Sequence, residues 1–459
     1  MDGAIKDEGN SDGNEQGYMN MIKPTCFLLL PRKVFPVVSG YSLKNYNLIG
    51  ILSKKYRLTV GVISAGNLPE EEKQYYDSLG VRWFVHRIPG WKSLAHTAAG
   101  LFSVRPLQVS YYYDEALQKR VDEMAEKADI LIAALIRTRE YFRKWVGKKV
   151  LVFDMVDSIA MNYARSESTT KSLFWRNIYR IEGKRLAEFE KRWVRESSVT
   201  YLFNPGEREA LDRYGKVICL PHGVSDSLFT YEKRDPAYAG AVVFMGKMDY
   251  QPNVDAVLWY LENVQAKIGE EIPFVIVGAY PTEEVKREAA KYPNVTVTGF
   301  VDDPYFYANS CMAMAAPMQS GGGIQNKVLE GMALGKVNLV SKLGAAALEG
   351  LDGDRKLILA DRPEDYIRIL LDMKKHTAGN GGAAAAGNAE EIIDALYDYA
   401  AIGKAAREYI RGHYTWQSYG EGYIAGIEDA RGSFGYSQKA GPEKIRGKMR
   451  KQPPFREKT

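Results

Sequence analysis

Short apolar runs alternate with segments of helical periodicity along most of the chain, in two separate series. This alternation predicts parallel sheets covered by helices on both faces, because parallel strands need crossover connections and strands buried on both faces are apolar throughout. In the first series, a predicted helix over Leu43–Lys54 follows the first strand. The predicted strands of this series are Cys26–Leu30, Leu58–Ile63, Arg82–His86, Ile130–Leu135, Val150–Asp154, Val199–Phe203 and Val217–Leu220.

The second series begins at Ala241 and has the same character. The segment 231–238 that separates the two series is polar and contains proline, which is typical of a linker. We therefore predict an α/β fold with an N-terminal domain over 22–232 and a C-terminal domain over 233–412. The second series has predicted strands Val242–Met245, Phe274–Val277, Val295–Thr298, Met312–Ala316, Val337–Val340 and Leu357–Leu359, and predicted helices Val254–Lys267, Glu283–Lys291, Pro304–Ala308 and Pro363–Met373.

Composition agrees with two domains and narrows the classes of partner. A chain of 459 residues is too long for one ordinary core, and its 46% hydrophobic and 26% charged residues are typical of a globular protein. The net charge of +5 is too small to indicate nucleic acid as a partner. No apolar run is long enough to span a bilayer, and Cys26, Cys219 and Cys311 lack the spacing of metal ligands. We expect a cytoplasmic protein.

Several segments depart from the alternating pattern. Residues 1–21 are acidic and rich in glycine and asparagine, and 433–459 are basic, so we expect disordered tails at both places. Residues 377–388 are of low complexity, which predicts a flexible insertion. The apolar stretch 88–107 either docks a lipid-linked acceptor or the inner face of the membrane, or packs on the sheet as an ordinary helix. Residues 166–196 predict amphipathic helices with a solvated face rather than a nucleic-acid surface.

A glycine-rich turn between an apolar run and a helical segment is the clearest candidate for a ligand site. Gly321, Gly322 and Gly323 let backbone amides approach an anion, and the positive end of the following helix dipole points at the same place. Lys327 and Glu330 lie about one helical turn apart, so both can face this turn. The sequence thus predicts a ligand with phosphates and hydroxyls, such as a nucleotide sugar. The alternative is a flexible loop followed by an ordinary solvated ion pair.

One motif matches the sequence of a known kind of metal-binding site. Asp352-Gly353-Asp354 matches the Asp-x-Asp with which another class of transferases holds a divalent metal under a diphosphate. The surrounding glycines predict a hairpin turn instead, so we expect neither a metal nor another cofactor.

Four motifs together resemble family 4 glycosyltransferases, most closely the bacterial group associated with exopolysaccharide clusters. They are the run from Val243 to Val257 with Gly-Lys-Met-Asp-Tyr-Gln-Pro-Asn inside it, Gly299-Phe-Val-Asp-Asp-Pro, the triple-glycine motif and the closing Tyr414-Thr-Trp. The resemblance implies two Rossmann-like, doubly wound domains that face each other across a cleft (the GT-B type). It also implies a last helix over 413–432 that returns to the first domain, and a metal-independent transfer that retains anomeric configuration.

The resemblance also assigns residues to the donor. Gly246 and Lys247 match the positions that contact the diphosphate, and Glu330 matches the glutamate that binds the nucleotide ribose. The position of the family's other glutamate is Gly322, and its second basic position is Pro252, so Lys327 and the glycine amides are expected to substitute. Ile324 belongs to the same turn, and Ser39-Gly40 matches a glycine-rich loop that approaches the donor phosphates or the acceptor.

Three residues are assigned to acceptor chemistry. Asp154 and Asp157 follow the end of a predicted strand and are proposed to bind acceptor hydroxyls, although a helix cap and a turn residue would look the same. His222 occupies a position that the family often fills with asparagine or histidine near the cleft, although it could be a core or loop histidine. The sequence therefore predicts a hexosyltransferase that moves a sugar from a nucleotide sugar to a glycan or polyprenyl-linked acceptor. A nucleotide-sugar epimerase and a noncatalytic scaffold remain alternatives.

Overall fold

The protein is described by a computed structural model over residues 23–37, 39–100, 103–170, 172–321, 323–348, 351, 355–383 and 396–449. The predicted tail over 1–21, Gly322, the Asp352-Gly353-Asp354 motif and the end of the chain from 450 lie outside these ranges, as do 384–388 of the predicted insertion. The chain forms two compact units. Unit 1 comprises the described parts of 1–202, 207–220 and 420–459, and unit 2 comprises those of 203–206 and 221–419.

Unit 1 is built on a seven-stranded parallel sheet with the strand order β3-β2-β1-β4-β5-β6-β7. The order runs outward from β1 in both directions, which is the doubly wound arrangement of a Rossmann-like domain. The strands are β1 (Thr25–Leu30), β2 (Arg57–Ser64), β3 (Arg82–Arg87), β4 (Ile130–Ala134), β5 (Val150–Val156), β6 (Val199–Leu202) and β7 (Val217–Cys219).

Helices connect these strands and cover the sheet. The α-helices are α1 (Gly40–Lys55), α2 (Glu70–Ser78), α3 (Gly90–Gly100), α4 (Leu107–Tyr111), α5 (Glu115–Lys127), α6 (Ile136–Arg139), α7 (Ile159–Thr169), α8 (Leu173–Glu196) and α9 (Pro205–Leu211). Short 3₁₀ turns cover Glu140–Trp145 and Asp212–Tyr214.

Unit 2 repeats the same winding with a six-stranded parallel sheet of order β10-β9-β8-β11-β12-β13. Its strands are β8 (Val242–Met245), β9 (Phe274–Val277), β10 (Val295–Gly299), β11 (Ala313–Ala316), β12 (Val337–Val340) and β13 (Ile358–Leu359). Its α-helices, together with the last helix, are α10 (Gln251–Tyr260), α11 (Ala266–Ile268), α12 (Glu283–Ala289), α13 (Pro304–Ser310), α14 (Asn326–Ala333), α15 (Lys342–Ala345), α16 (Pro363–Ala383), α17 (Tyr399–His413) and α18 (Trp416–Met449). Short 3₁₀ turns cover Asp226–Thr230, Pro236–Tyr238 and Gly269–Glu271.

Alternating side chains of the unit 2 strands enter two hydrophobic clusters. Val242 and Phe244 of β8 belong to one cluster, whereas Val243 and Met245 belong to the other. Both faces of the sheet are therefore buried, and this explains why the strands read as continuous apolar runs in the sequence. The predicted α/β fold with two doubly wound sheets is confirmed. None of the helices in the described ranges is both long and apolar enough to cross a membrane.

Some predicted boundaries differ from the structure. The expected helix over Val254–Lys267 is interrupted by a π-helical turn at Leu261–Gln265, where the Ala266 N–H bonds to the carbonyl five residues back. Residues 377–383 and 433–449, expected to be irregular, continue α16 and α18. The expected boundary at 232/233 lies inside unit 2, because Val224, Leu228 and Phe229 pack into its core.

A buried ion pair connects α1 to β5 within unit 1. Lys44 of α1 pairs with Asp154 of β5, and their side chains are 2% and 0% exposed. Burial lowers the pKa of Lys44 well below its usual value. The Asp154 Oδ1 atom has no hydrogen-bond partner among the described residues. The ion pair with Lys44 is therefore the described side-chain interaction that offsets the cost of burying this carboxylate.

We expect Lys44→Met to lower the free energy of unfolding by about 3–5 kcal/mol, because it leaves Asp154 buried and unpaired. Urea denaturation measures this loss, and the double variant Lys44→Met/Asp154→Leu should recover most of it. Lys54→Met, on an exposed position of the same helix, is the matched control and should change stability by no more than about 0.5 kcal/mol. Equal effects of the two single variants would contradict a stabilising ion pair.

Candidate functional site

The carboxyl ends of parallel strands are the usual ligand-binding edge of a doubly wound sheet, above all where the winding changes direction. In unit 2 this point lies between β8 and β11, which pair side by side through Val242 and Ala313. The loop after β8 carries Gly246 and Lys247, and the glycine turn follows β11. The structure thus places the predicted donor residues of unit 2 at the edge where a ligand is expected.

Two loops of unit 2 approach each other so closely that only glycine fits. A Cβ atom on Gly278, after β9, would lie 1.8 Å from the Gly246 carbonyl oxygen. A Cβ atom on Gly246 would lie 2.6 Å from Nδ2 of Asn253. The loop of Gly246 and Lys247 is therefore held between β9's loop and the first turn of α10.

Lys247 remains accessible on this loop. Its side chain is 56% exposed, and its Nζ lies 2.9 Å from Oδ2 of Asp249. The Nζ also lies 5.1 Å from the centre of the Tyr280 ring. An exposed ammonium with one surface carboxylate beside it can turn to an anionic ligand at little cost.

The glycine turn has the backbone that its sequence predicts. Gly321 has φ +94° and Gly323 has φ +82°, in the left-handed region that favours glycine. A Cβ atom on Gly321 would lie 3.1 Å from Cβ of Pro252, so the turn packs closely on the start of α10. Gln325, just before α14, makes no capping hydrogen bond with its side chain. The helix amides can therefore receive an anion.

Lys327 lies in the interior of unit 2, and its Nζ is 3.4 Å from Oε1 of Gln325, the residue that precedes α14. It is 7% exposed, and its Nζ donates to Oδ1 of Asn253 at 2.7 Å and sits 4.6 Å from the centre of the Phe244 ring. Burial lowers the pKa of Lys327 to about 7. The sequence could not show this, because the helical period gives a face but not what covers it.

Asn253 connects the two predicted cations. Its Oδ1 accepts the hydrogen bond from Lys327, and its Nδ2 donates to the Lys247 carbonyl oxygen at 2.9 Å. Sequence reasoning missed this residue as a site residue, although it lies in the Gly-Lys-Met-Asp-Tyr-Gln-Pro-Asn run. The Lys327 ammonium therefore fixes the loop of Lys247 through one amide group.

Glu330 lies one helical turn after Lys327 and is partly buried. Its Oε1 accepts a hydrogen bond from the Tyr305 hydroxyl at 3.2 Å. Burial raises the pKa of Glu330 to about 7, and the Tyr305 hydrogen bond and the nearby Lys327 oppose this rise. With this pKa the carboxyl group is partly ionised near neutral pH, and the ionised form can accept a hydrogen bond from a ligand hydroxyl.

His222 belongs to unit 2 and lies at the start of α14. Its Nε2 is 2.7 Å from Oδ1 of Asn326, and its ring stacks on Trp416 with centres 5.7 Å apart. A Cβ atom on Gly223 would lie 2.2 Å from the Trp416 backbone nitrogen, so the segment after His222 runs directly against the closing motif. The structure thus brings His222, Asn326 and Trp416 together, a grouping that the sequence did not reveal.

In unit 1, two of the predicted residues belong to a helix start. Ser39 caps α1, where its hydroxyl accepts from the Ser42 N–H and its own N–H donates to the Ser42 hydroxyl at 2.8 Å. Gly40 is the first residue of the helix. Both residues are exposed where the loop after β1 meets α1, so they are accessible to a ligand.

Asp154 and Asp157, both predicted to bind acceptor hydroxyls, have different surroundings in the structure. Asp154 is 0% exposed and paired with Lys44, so it cannot meet an acceptor hydroxyl directly. Asp157 lies between the end of β5 and Ser158, which caps α7 and whose N–H donates to Oε2 of Glu207 at 2.7 Å. Burial raises the pKa of Asp157 to about 6, and the positive charge of Arg165 opposes this rise. Only Asp157 remains available for the proposed contact.

A cavity of about 360 Å³ lies at the carboxyl ends of β1, β2 and β3. Its volume is in the range of small-ligand pockets. Its lining includes Arg32, Lys33, Ser64, Tyr111 and Tyr112. Hydroxyl, aromatic and basic groups suit a sugar or a phosphate. These residues come from separate loops, so no periodic pattern in the sequence predicts that they converge.

Comparisons with known proteins agree with this architecture. Residues 239–375 match the family described as "Glycosyl transferases group 1". Among solved structures, Anabaena HepE in complex with UDP has a TM-score of 0.60 and 13% identity, covering 88% of this chain and 100% of that one. Sucrose-phosphate synthase from Thermosynechococcus elongatus has a TM-score of 0.62 and 13% identity, with coverage of 90% and 100%.

A third similar structure is an α,α-trehalose-phosphate synthase (UDP-forming) from Burkholderia vietnamiensis, with a TM-score of 0.58, 13% identity and coverage of 90% and 98%. No curated protein sequence matches this chain. At such low identity the structures establish the fold, which is that of GT-B glycosyltransferases. The matched segment lies in unit 2 and contains the loop of Lys247, the glycine turn and α14. The chain therefore carries a glycosyltransferase domain of group 1.

Proposed function

We propose that this protein is a retaining, metal-independent hexosyltransferase that moves a sugar from a nucleotide sugar to a glycan or polyprenyl-linked acceptor. The observation that carries the proposal is the arrangement at the β8–β11 edge of unit 2. There the glycine turn, the start of α14 and the Lys247 loop surround one place suited to a diphosphate. The motifs that resemble exopolysaccharide-associated enzymes support a role in bacterial exopolysaccharide or cell-surface glycan synthesis.

The donor is proposed to be a sugar linked to uridine diphosphate. HepE has been solved with UDP and with UDP-glucose, and the similar trehalose-phosphate synthase is described as UDP-forming. Glu330 is proposed to accept a hydrogen bond from the ribose, and Ile324 to line the turn beside it. Ser39 and Gly40 are proposed to approach the donor phosphates or the acceptor.

In the proposed reaction, an acceptor hydroxyl oxygen forms a bond to the anomeric carbon as the bond from that carbon to the phosphate oxygen breaks. The acceptor proton passes to the leaving phosphate. Lys247 and the amides of the glycine turn stabilise the negative charge that develops on the diphosphate, a role that metal ions have in other transferases. Lys327 holds the Lys247 loop, and His222 is proposed to orient Asn326 near the transferred sugar.

The acceptor is proposed to bind in unit 1. Asp157 and the cavity beside Arg32 and Lys33 offer groups for hydroxyls and for a phosphate. Helix α3 exposes Trp91 at 69% and Leu94 at 66%, so it is not fully packed on the sheet. These exposed apolar side chains support a peripheral contact with the inner face of the membrane, where a polyprenyl-linked acceptor would be found.

We expect Lys247→Met to lower turnover by roughly 100-fold or more, because it removes a charge that acts on the leaving diphosphate. Release of UDP from a panel of UDP sugars, with cell-surface glycan acceptors, measures this. Lys286→Met, an exposed lysine of the same unit, is the matched control and should keep full turnover. An isomeric UDP sugar formed without any acceptor would identify an epimerase, and no binding of any nucleotide sugar would identify a scaffold.

We expect UDP binding at pH 8 to take up a proton at Lys327. With a pKa of about 7 the free amine is mostly neutral at that pH, and a bound diphosphate favours the charged form and raises its pKa. Glu330 is already mostly ionised at pH 8 and does not mask this uptake. Affinity for UDP should accordingly fall as the pH rises above 7, by up to about tenfold per unit.

Calorimetry in two buffers of different ionisation enthalpy measures the number of protons taken up. Lys327→Met should abolish the uptake, whereas Lys286→Met should retain it. Wild-type binding that exchanges no proton at pH 8 would show that the diphosphate does not act on Lys327.

A further inference from the structure

Helices α7 and α8 pack against each other as a hairpin in unit 1, and three large apolar side chains stand exposed where α8 begins. Leu173 is 72% exposed, Phe174 is 68% exposed and Trp175 is 50% exposed. We call these three residues the hairpin tip. Ile181, about two turns further along α8, is 56% exposed. Consecutive exposed apolar residues of this size are uncommon on the surface of a monomeric protein and indicate contact with a partner molecule or a membrane.

The core of unit 1 does not account for the apolar residues at the tip. The later part of α8 is anchored, because Leu186, Phe189 and Trp193 belong to a buried cluster. The anchoring begins near Glu182, whose Oε2 accepts from the Leu107 N–H at 2.7 Å. The first turns of the helix therefore extend beyond the packed part of the unit.

The geometry of the tip favours lipid over a protein groove. Successive residues of an α-helix are about 100° apart, so the tip is apolar over roughly 200° of its circumference. A protein groove receives one stripe of a helix, with anchors three and four residues apart. A bilayer surrounds an inserted element from all sides, and tryptophan favours its interfacial region.

The charges around the tip complement an anionic surface. Within 163–185, six basic residues accompany only Glu167 and Glu182. Glu167 pairs with Arg180 at 2.7 Å, Glu182 with Arg185 at 2.9 Å, and Arg165 with Glu207 at 2.7 Å. The net positive charge of this end of the hairpin therefore comes from the other basic residues, including Arg176 and Lys184. The positive end of the α8 dipole adds to it. The six basic residues are Arg165, Lys171, Arg176, Arg180, Lys184 and Arg185.

We infer that the hairpin tip inserts into the interfacial region of a bilayer that contains anionic lipids, and that the surrounding basic side chains contact the headgroups. Two apolar surfaces of unit 1, the tip and the exposed residues of α3, are then available to lipid. The purpose of this insertion rests on the proposed function, since it would bring the enzyme to a polyprenyl-linked acceptor. Insertion into a bilayer can be measured without a sugar donor or an acceptor.

The test is co-sedimentation of the full chain with vesicles of phosphatidylcholine mixed with phosphatidylglycerol, and with vesicles of phosphatidylcholine alone. The wild-type chain should bind the anionic vesicles more tightly, and added salt should weaken this binding. Leu173→Ser/Phe174→Ser/Trp175→Ser should reduce partitioning by roughly tenfold or more. Leu343→Ser/Leu396→Ser, at exposed apolar positions of unit 2, is the matched control and should bind like wild type.

A second measurement reports insertion without depending on the triple variant. Doxyl-labelled lipids should quench part of the wild-type tryptophan fluorescence, and Trp175→Phe should lose that part while still binding the vesicles. Failure of the wild-type chain to bind either vesicle, or equal binding by the triple variant, would overturn the inference. So would a wild-type dimer that the triple variant converts to a monomer, since the tip would then contact a second copy. None of these results would affect UDP-sugar turnover, which tests the proposed function separately.

Discussion

The candidate site of unit 2 depends on one hydrogen bond, from the buried Lys327 ammonium to the amide oxygen of Asn253. Taking an ammonium out of water is costly, and here its described contacts are Asn253, the Phe244 ring, Oε1 of Gln325 at 3.4 Å and the sulfur of Met318 at 3.6 Å. Burial accordingly lowers its pKa to about 7. Buried ionisable groups with strongly shifted pKa values are often found at functional sites. An anion bound at the adjacent glycine turn would offset the cost of burying the Lys327 charge.

The same bond explains why several small residues are required around it. The Nδ2 atom of Asn253 donates a hydrogen bond to the Lys247 carbonyl oxygen. Gly246 is thereby placed so close to Asn253 that any side chain at this position would collide with it. Pro252, the second residue of α10, packs on Gly321. The glycine turn therefore rests directly on α10.

Most of the fold could be predicted from the sequence, whereas much of the site could not. Strands such as Val242–Met245 and Phe274–Val277 were predicted at their observed bounds, because burial on both faces makes them continuous apolar runs. The glycine turn was predicted because its backbone requires glycine locally. The pairing of Lys44 with Asp154 and of His222 with Asn326 joins residues more than a hundred positions apart, and no local pattern records such contacts.

Asp154 illustrates why position along a strand is a weak guide to function. Asp154 and Asp157 follow one another near the end of β5, and the sequence assigned both to acceptor hydroxyls. Asp157 lies just beyond the strand, and the ladder is irregular between Asp154 and Val156, so the two carboxylates have different surroundings. One became the buried partner of Lys44, and the other kept a raised pKa of about 6 beside Arg165. The acceptor side of the proposed reaction therefore depends on Asp157 and on loop residues such as Arg32 and Lys33, whose convergence only the folded sheet creates.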